Sequence, residues 1–153
     1  MSERGLKFAC ALIDEFRMRR PTDDAERAIW GQLLDSGPSI GANASESDGA
    51  ESGRDFSHKF HVSLKEGRET LYWLRILRYA SPDRARRVDV LYRECDEMVA
   101  ILVTSIKTSK RNEAARQRGE VSAPLETETE GGAGERNSAR KRRSKEFWFN
   151  VPD

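Results

Sequence analysis

Long hydrophobic runs are missing from this chain. Nowhere in its 153 residues do the roughly 18 consecutive apolar positions of a membrane-spanning helix occur. Cysteine is scarce: Cys10 and Cys95 stand alone and far apart, each on an apolar helix face by spacing. That arrangement fits two reduced core thiols and excludes a disulfide framework or a paired-cysteine zinc site. A glycine-rich phosphate loop and a nucleophile elbow are also absent. The opening residues carry Glu3, Asp14 and Glu15 and no small-residue cleavage site, which argues against a secretory signal. The expectation is a cytoplasmic, non-catalytic protein without a cofactor.

What is present is helical patterning. The stretch Phe56–Leu77 places Phe60, Leu64, Leu71 and Leu74 at alternating spacings of four and three, with Gly67 between them. That is the seam of a helix packed on other helices. Tyr72, Trp73, Ile76 and Leu77 lie beside it and widen the apolar surface, as in a bundle or at a subunit contact.

Four helical segments are readable. The first spans about Glu3 to Arg19, with Leu6, Ala9 or Cys10, Ile13 and Phe16 on one face, and Pro21 ends it. Thr22 can cap a second helix, with Asp23, Asp24 and Glu26 near its positive end. Ile29, Leu33, Leu34, Ile40 and Ala44 form its inward face. Gly37-Pro38 either stops this helix or kinks it; Ile40 keeps the register of Leu33, which favours continuation. Asp48-Gly49 breaks the chain, and Ser52 with Asp55 starts a third helix that runs to about Tyr79. Ser81-Pro82-Asp83 reads as the start of a fourth, with a capping hydroxyl, proline at the first helical position and then an acid; this helix extends to about Arg111 through Val88, Leu91 or Tyr92, Cys95, Met98, Leu102 and Ile106. Short connections between long helices imply antiparallel neighbours. The expected fold is all-α: an antiparallel up-down four-helix bundle over residues 1–111, followed by a flexible, disordered C-terminal tail over 112–153.

The net charge of +1 hides that tail's asymmetry. Glu120 to Glu135 is acidic, and Arg136 to Lys145 is basic, with Arg140, Lys141, Arg142, Arg143 and Lys145 as candidate nucleic-acid contacts. Phe147, Trp148 and Phe149 follow; they can stack on bases or anchor the tail in a partner's groove. On the third helix Lys65, Arg68, Arg75 and Arg78 recur, and Arg84, Arg86 and Arg87 open the fourth. These cations form either a solvated face balanced by Glu66, Glu69 and Asp89 or a phosphate-tracking patch. Asp55, His58 and His61 follow one another at spacings of three. As a metal strip they make a loose ligand set, and they equally suit partly exposed helix positions. Asn43-Ala44-Ser45 matches a glycosylation acceptor only formally, because it lies inside a helix of a chain without a secretion signal.

The segments SIGANASESDGAESGRDFSHKF and KEGRETLYWLRIL resemble a bacterial four-helix-bundle family. Its members include proteins encoded by intervening sequences in 23S ribosomal RNA genes and the accessory variability determinant of diversity-generating retroelements. The resemblance is carried by Ser39, Ile40, Ala42, Asn43, Glu46, Ser52, Asp55, Phe56 and Lys59, then by Lys65, Glu66, Glu69, Thr70, Tyr72, Trp73 and Leu74. It covers roughly residues 5–110. It implies a bundle that assembles as a homopentamer and, for the retroelement member, binding to a reverse transcriptase and to nucleic acid through a basic surface. The chain departs from the family pattern at Ala44-Ser45 and Gly67, and it is less basic than the retroelement protein.

Two functions follow as expectations. One is a non-catalytic oligomeric adaptor or scaffold that recruits a partner protein through the bundle surface or the C-terminal tail. The alternative is a nucleic-acid-binding accessory factor of a reverse transcriptase, with RNA or DNA as ligand.

Overall fold

The computed structural model describes residues 1–119, and every regular element within them is helical. Helix α1 is Ser2–Met18, α2 is Asp24–Glu46, α3 is Gly53–Ala80 and α4 is Ala85–Gln117. Single 3₁₀ turns, Ser47–Gly49 and Pro82–Arg84, occupy the α2–α3 and α3–α4 connections. The antiparallel order is visible in the pairings. Gly5 meets Gly41 and Phe16 meets Trp30 across α1 and α2. Ser63 meets Ile40 and Ser81 meets Glu26 across α2 and α3. Gly67 meets Val99 and Arg78 meets Asp89 across α3 and α4. Arg4 reaches Glu94, and Glu15 reaches Arg84 and Arg87, closing α1 onto α4.

The core consists mainly of side chains from the expected faces of α2, α3 and α4. Leu33 and Ile40, Leu74 and Leu77, and Val88, Cys95, Met98 and Leu102 are all enclosed. Trp30 joins them fully buried, its indole tilted against Phe16 with ring centroids 5.6 Å apart. α2 passes through Gly37-Pro38 without a break, so continuation is what the structure adopts. The glycine is used for packing, since a Cβ at Gly37 would run into the Leu12 side chain. Proline at 38 costs α2 one backbone hydrogen bond. Polar atoms also cross the interior: Thr70 Oγ1 donates to Ser36 Oγ at 3.0 Å, and Ser63 Oγ donates to the Ile40 carbonyl at 2.7 Å.

Helix α1 sits in a different register from the one its apolar spacing suggests. The buried face is Gly5, Phe8, Ala9, Leu12 and Glu15, while Leu6 is 64% exposed, Cys10 is exposed and Ile13 is half-buried. The reason is steric. A Cβ on Gly41 would lie 2.8 Å from the Gly5 carbonyl carbon, so the two backbones touch and α1 cannot roll Leu6 inward. Cys10 is therefore a surface thiol, and only Cys95 is a core one. Its Sγ donates to the Gly67 carbonyl at 3.4 Å, and burial, with Asp96 and Glu94 nearby, pushes its thiol up to about 12.

Two of the expected caps also differ. Asp23, rather than Thr22, caps α2: its carboxylate accepts from the Glu26 amide at 2.8 Å. Ser81 caps nothing through its side chain, because its hydroxyl is turned to Glu26 Oε1 at 2.9 Å. Ser52 does cap α3, accepting from the Asp55 amide at 3.1 Å. α4 runs past Arg111 to Gln117 and ends in a Gly119 at φ 71°, the left-handed geometry that glycine adopts without a Cβ penalty.

The close approach of α1 and α2 makes a specific stability prediction. Gly41→Val should lower unfolding free energy by about 1–3 kcal/mol through overpacking. Gly31 lies mid-helix with nothing within 4 Å of a would-be Cβ. Gly31→Ala should therefore raise it by about 0.5–1 kcal/mol. Urea midpoints of the two variants against the parent protein check both signs.

Candidate interaction surfaces

One end of the bundle is tied by a buried ionic knot. Arg84, at the α3–α4 junction, has a side chain that is 1% exposed, with Nε 2.7 Å from Glu26 Oε1, itself 4% exposed. Its Nη2 donates to the carbonyls of Arg19 at 2.6 Å and Arg20 at 3.1 Å, which satisfies groups just past the end of α1. Glu26 also accepts from the Thr22 amide at 2.8 Å and the Thr22 hydroxyl at 3.1 Å. Glu15 lies 3.7 Å from Arg84 and 3.6 Å from Arg87, and the Arg84 guanidinium stands 5.7 Å from the Trp30 ring centroid. Arg84 Nη1 and Trp30 Nε1 are enclosed without a hydrogen-bond partner. Arg84 thus belongs to the interior, not to a surface patch with Arg86 and Arg87. Its position between three chain segments could not be read from the run of arginines that contains it.

Desolvation would raise the Glu26 carboxyl. The hydrogen bonds from Thr22 and Ser81, with the Arg84 charge, outweigh burial and hold it below its ordinary value of 4.5. The folded state therefore binds that proton less readily than the unfolded state. The resulting stability is present above about pH 4.5 and is lost as pH falls towards the lower folded value. Glu26→Gln should flatten this part of the stability–pH curve between pH 6 and pH 3. Arg84→Met, which leaves the buried Glu26 without its cation and Glu15 with Arg87 alone, should cost about 3–5 kcal/mol at pH 7. Chemical unfolding across pH checks both.

The cations expected on the third helix do form a face. Every exposed side chain on α3 from Arg54 to Tyr79 is cationic, imidazole or phenolic: Arg54, His58, His61, Lys65, Arg68, Tyr72, Arg75, Arg78 and Tyr79. The carboxylates of that helix, Asp55, Glu66 and Glu69, are half-buried at its flanks. Arg78 is paired with Asp89 at 3.2 Å and Lys65 approaches Glu66 at 3.8 Å, whereas Arg68 and Arg75 make no ion pair among the described residues. Tyr72 and Tyr79 stand 58% and 88% exposed within this row. Their seven-residue spacing repeats that of Arg68 and Arg75, a signal the sequence carried in plain view. Arg140, Lys141, Arg142, Arg143, Lys145, Phe147, Trp148 and Phe149 lie outside the described residues.

Asp55, His58 and His61 do not converge. Steps of three drift around a helix, so the outer two diverge, and His61 Nδ1 is engaged with the Ser57 carbonyl at 2.7 Å. Among the described residues no group of three His, Cys, Asp or Glu is placed to hold a metal ion. No described helix is long and apolar enough to cross a membrane.

Two apolar patches face outward. The first is the Leu6–Cys10–Ile13 stripe on α1. The second arises because α1 is short. Its first turn ends beside Glu94 and Glu97, while α4 continues to Gln117 with α3 beside it. One turn beyond Glu97, Ile101 is 40% exposed and lines an open depression with Ala100, Thr104 and Ser105. Phe56 of α3 and Thr108, Ser109 and Asn112 of α4 continue this lining.

These features define a class: a helical bundle whose ionisable interior groups tie helix ends together, and whose distinctive chemistry is on its outer faces. The chain belongs to the 23S rRNA-intervening sequence protein family, whose sequence profile matches residues 3–104. A solved relative is a protein of unknown function from the S23 ribosomal protein family of Bacteroides thetaiotaomicron. It is 30% identical, aligned over 69% of this chain and 97% of that one with a TM-score of 0.62. A search of curated proteins gave no match.

Proposed function

We propose that this protein is a non-catalytic adaptor that assembles from identical copies and presents its outer faces repeatedly to a partner protein. The observation that carries this reading is the second apolar face of α1. A helix with Phe8 and Leu12 inside, Leu6 and Cys10 exposed and Ile13 half-buried beside them has more oily surface than one neighbour can cover. The uncovered Ala100–Ser105 side of α4 is a different patch. Two unlike complementary patches suit a head-to-tail contact, which closes into a ring when the rotation per copy permits. The family resemblance puts the expected number at five. The use of Glu15, Glu26 and Arg84 as ties between helix ends supports a structural rather than catalytic role for the buried charges. A cytoplasmic location fits the reduced state of two unpaired thiols.

A second reading is favoured by the outer face of α3. A row without an exposed carboxylate, holding unpaired Arg68 and Arg75, suits a polyanion. On that reading the protein is a nucleic-acid-binding accessory factor, of the kind that serves a reverse transcriptase.

The adaptor reading is tested by mass in solution. Leu6→Glu/Ile13→Glu and, separately, Ile101→Glu should each dissociate the assembly to monomer in sedimentation velocity, with helical circular dichroism retained. An unchanged mass for both variants, or a monomeric parent protein at micromolar concentration, contradicts it.

A further inference from the structure

We infer that the outer face of α3 binds an unpaired nucleic-acid strand, stacking bases on Tyr72 and Tyr79 while Arg68 and Arg75 hold the phosphates. This rests on the nucleic-acid reading above and names its ligand class. The charge of this face requires only a polyanion; the tyrosines narrow it. In a duplex the base faces are occupied by their neighbours, and only phosphates and groove edges are offered to a helix. A row of arginines would then suffice, and large rings among them would gain nothing. Unpaired bases offer free π-faces, and a site for them alternates aromatic platforms with cations.

That alternation is what α3 presents. Arg68, Tyr72, Arg75 and Tyr79 follow one another along a single stripe, at steps of four, three and four. Like residues repeat at about 10 Å along the axis, and the cationic row from Arg54 to Arg78 is about 36 Å long, enough to track several nucleotides. Neither phenol makes a hydrogen bond among the described residues, and Tyr79 packs on no ring. Tyr72 is held edge-on by Trp73, with centroids 5.3 Å apart, so one platform is already oriented. The carboxylates closest in sequence are directed elsewhere. Glu69 Oε1 accepts from Trp73 Nε1 at 3.5 Å, Glu66 is matched by Lys65, and Asp89 by Arg78. The positive charge beside the rings is thus left to Arg68, one turn before Tyr72, and Arg75, between the two rings.

The test uses the full chain and a fluorescein-labelled 20-nucleotide oligouridylate (about the length of the face), against an RNA duplex of equal length. Tyr72→Leu/Tyr79→Leu should weaken single-strand binding at least about tenfold while leaving duplex binding and the thermal melt unchanged. Arg68→Gln/Arg75→Gln should reduce the log–log salt slope for the single strand by about 1.4. Single-strand affinity unmoved by the tyrosine changes overturns the inference and leaves the broader nucleic-acid reading standing. So does an equal loss for duplex and strand. Absence of binding to either RNA at low salt overturns both. Capture of a protein that survives nuclease but is lost with the same tyrosine changes overturns it in favour of a protein ligand.

Discussion

The backbone contact between Gly5 and Gly41 is the constraint from which the rest of the arrangement follows. Two helices can approach this closely only where neither carries a Cβ, and the contact fixes how α1 is rolled about its axis. With Gly5 inward, Phe8 and Leu12 must follow on the same face, and Leu12 takes the room left by Gly37. Leu6 and Cys10 are then carried to the outside, and Ile13 is left half-buried, whatever their hydrophobicity. The exposed stripe is a consequence of packing.

The opposite end of the bundle is fixed by charge rather than by close packing. Arg84 holds the carbonyls that follow α1, the first-turn glutamate of α2 and its own junction in a single guanidinium. Such a group stabilises little relative to a well-packed apolar replacement, but it penalises any rearrangement that separates its partners. Alignment at that end makes α1 antiparallel to α4 through Glu15 as well as Arg84 and Arg87. Because α1 is so much shorter than α4, the same alignment leaves the far half of α4 without a fourth helix beside it. Both uncovered patches therefore derive from one short, tightly placed helix.

Much of this was legible from spacing. α4 buries the face that its four-and-three periodicity marks, and α3 buries Phe60, Leu64 and Leu74 of its seam, with Leu71 half-buried and Leu77 enclosed instead, because both helices are long and amphipathic. The buried side of α1 is not the one its apolar spacing marks, because the true seam contains a glycine and a glutamate that a hydrophobicity pattern passes over. Thr22 and Ser81 both donate to Glu26: for Thr22 a local partner four residues on, with Asp23 taking the cap position, and for Ser81 a partner 55 residues away that local capping rules do not contain. For the candidate surface, Arg68, Arg75 and Arg78 were visible as a basic recurrence. The half-burial of Glu66 and Glu69, which leaves that recurrence unopposed, depends on neighbouring helices and was not.

The placement of Cys10 offers the most direct check on the account, since it lies on the outward stripe and is the exposed thiol of the described fold. The rate of its reaction with a thiol reagent should be measured in native buffer over a range of protein concentrations. The account predicts one fast-reacting thiol per chain at high dilution, Cys95 remaining protected, and a rate that falls as concentration rises and a second copy covers the stripe. Two equally protected thiols at every dilution would place Cys10 in the core and contradict the register of α1. A fast rate independent of concentration would show the stripe left bare.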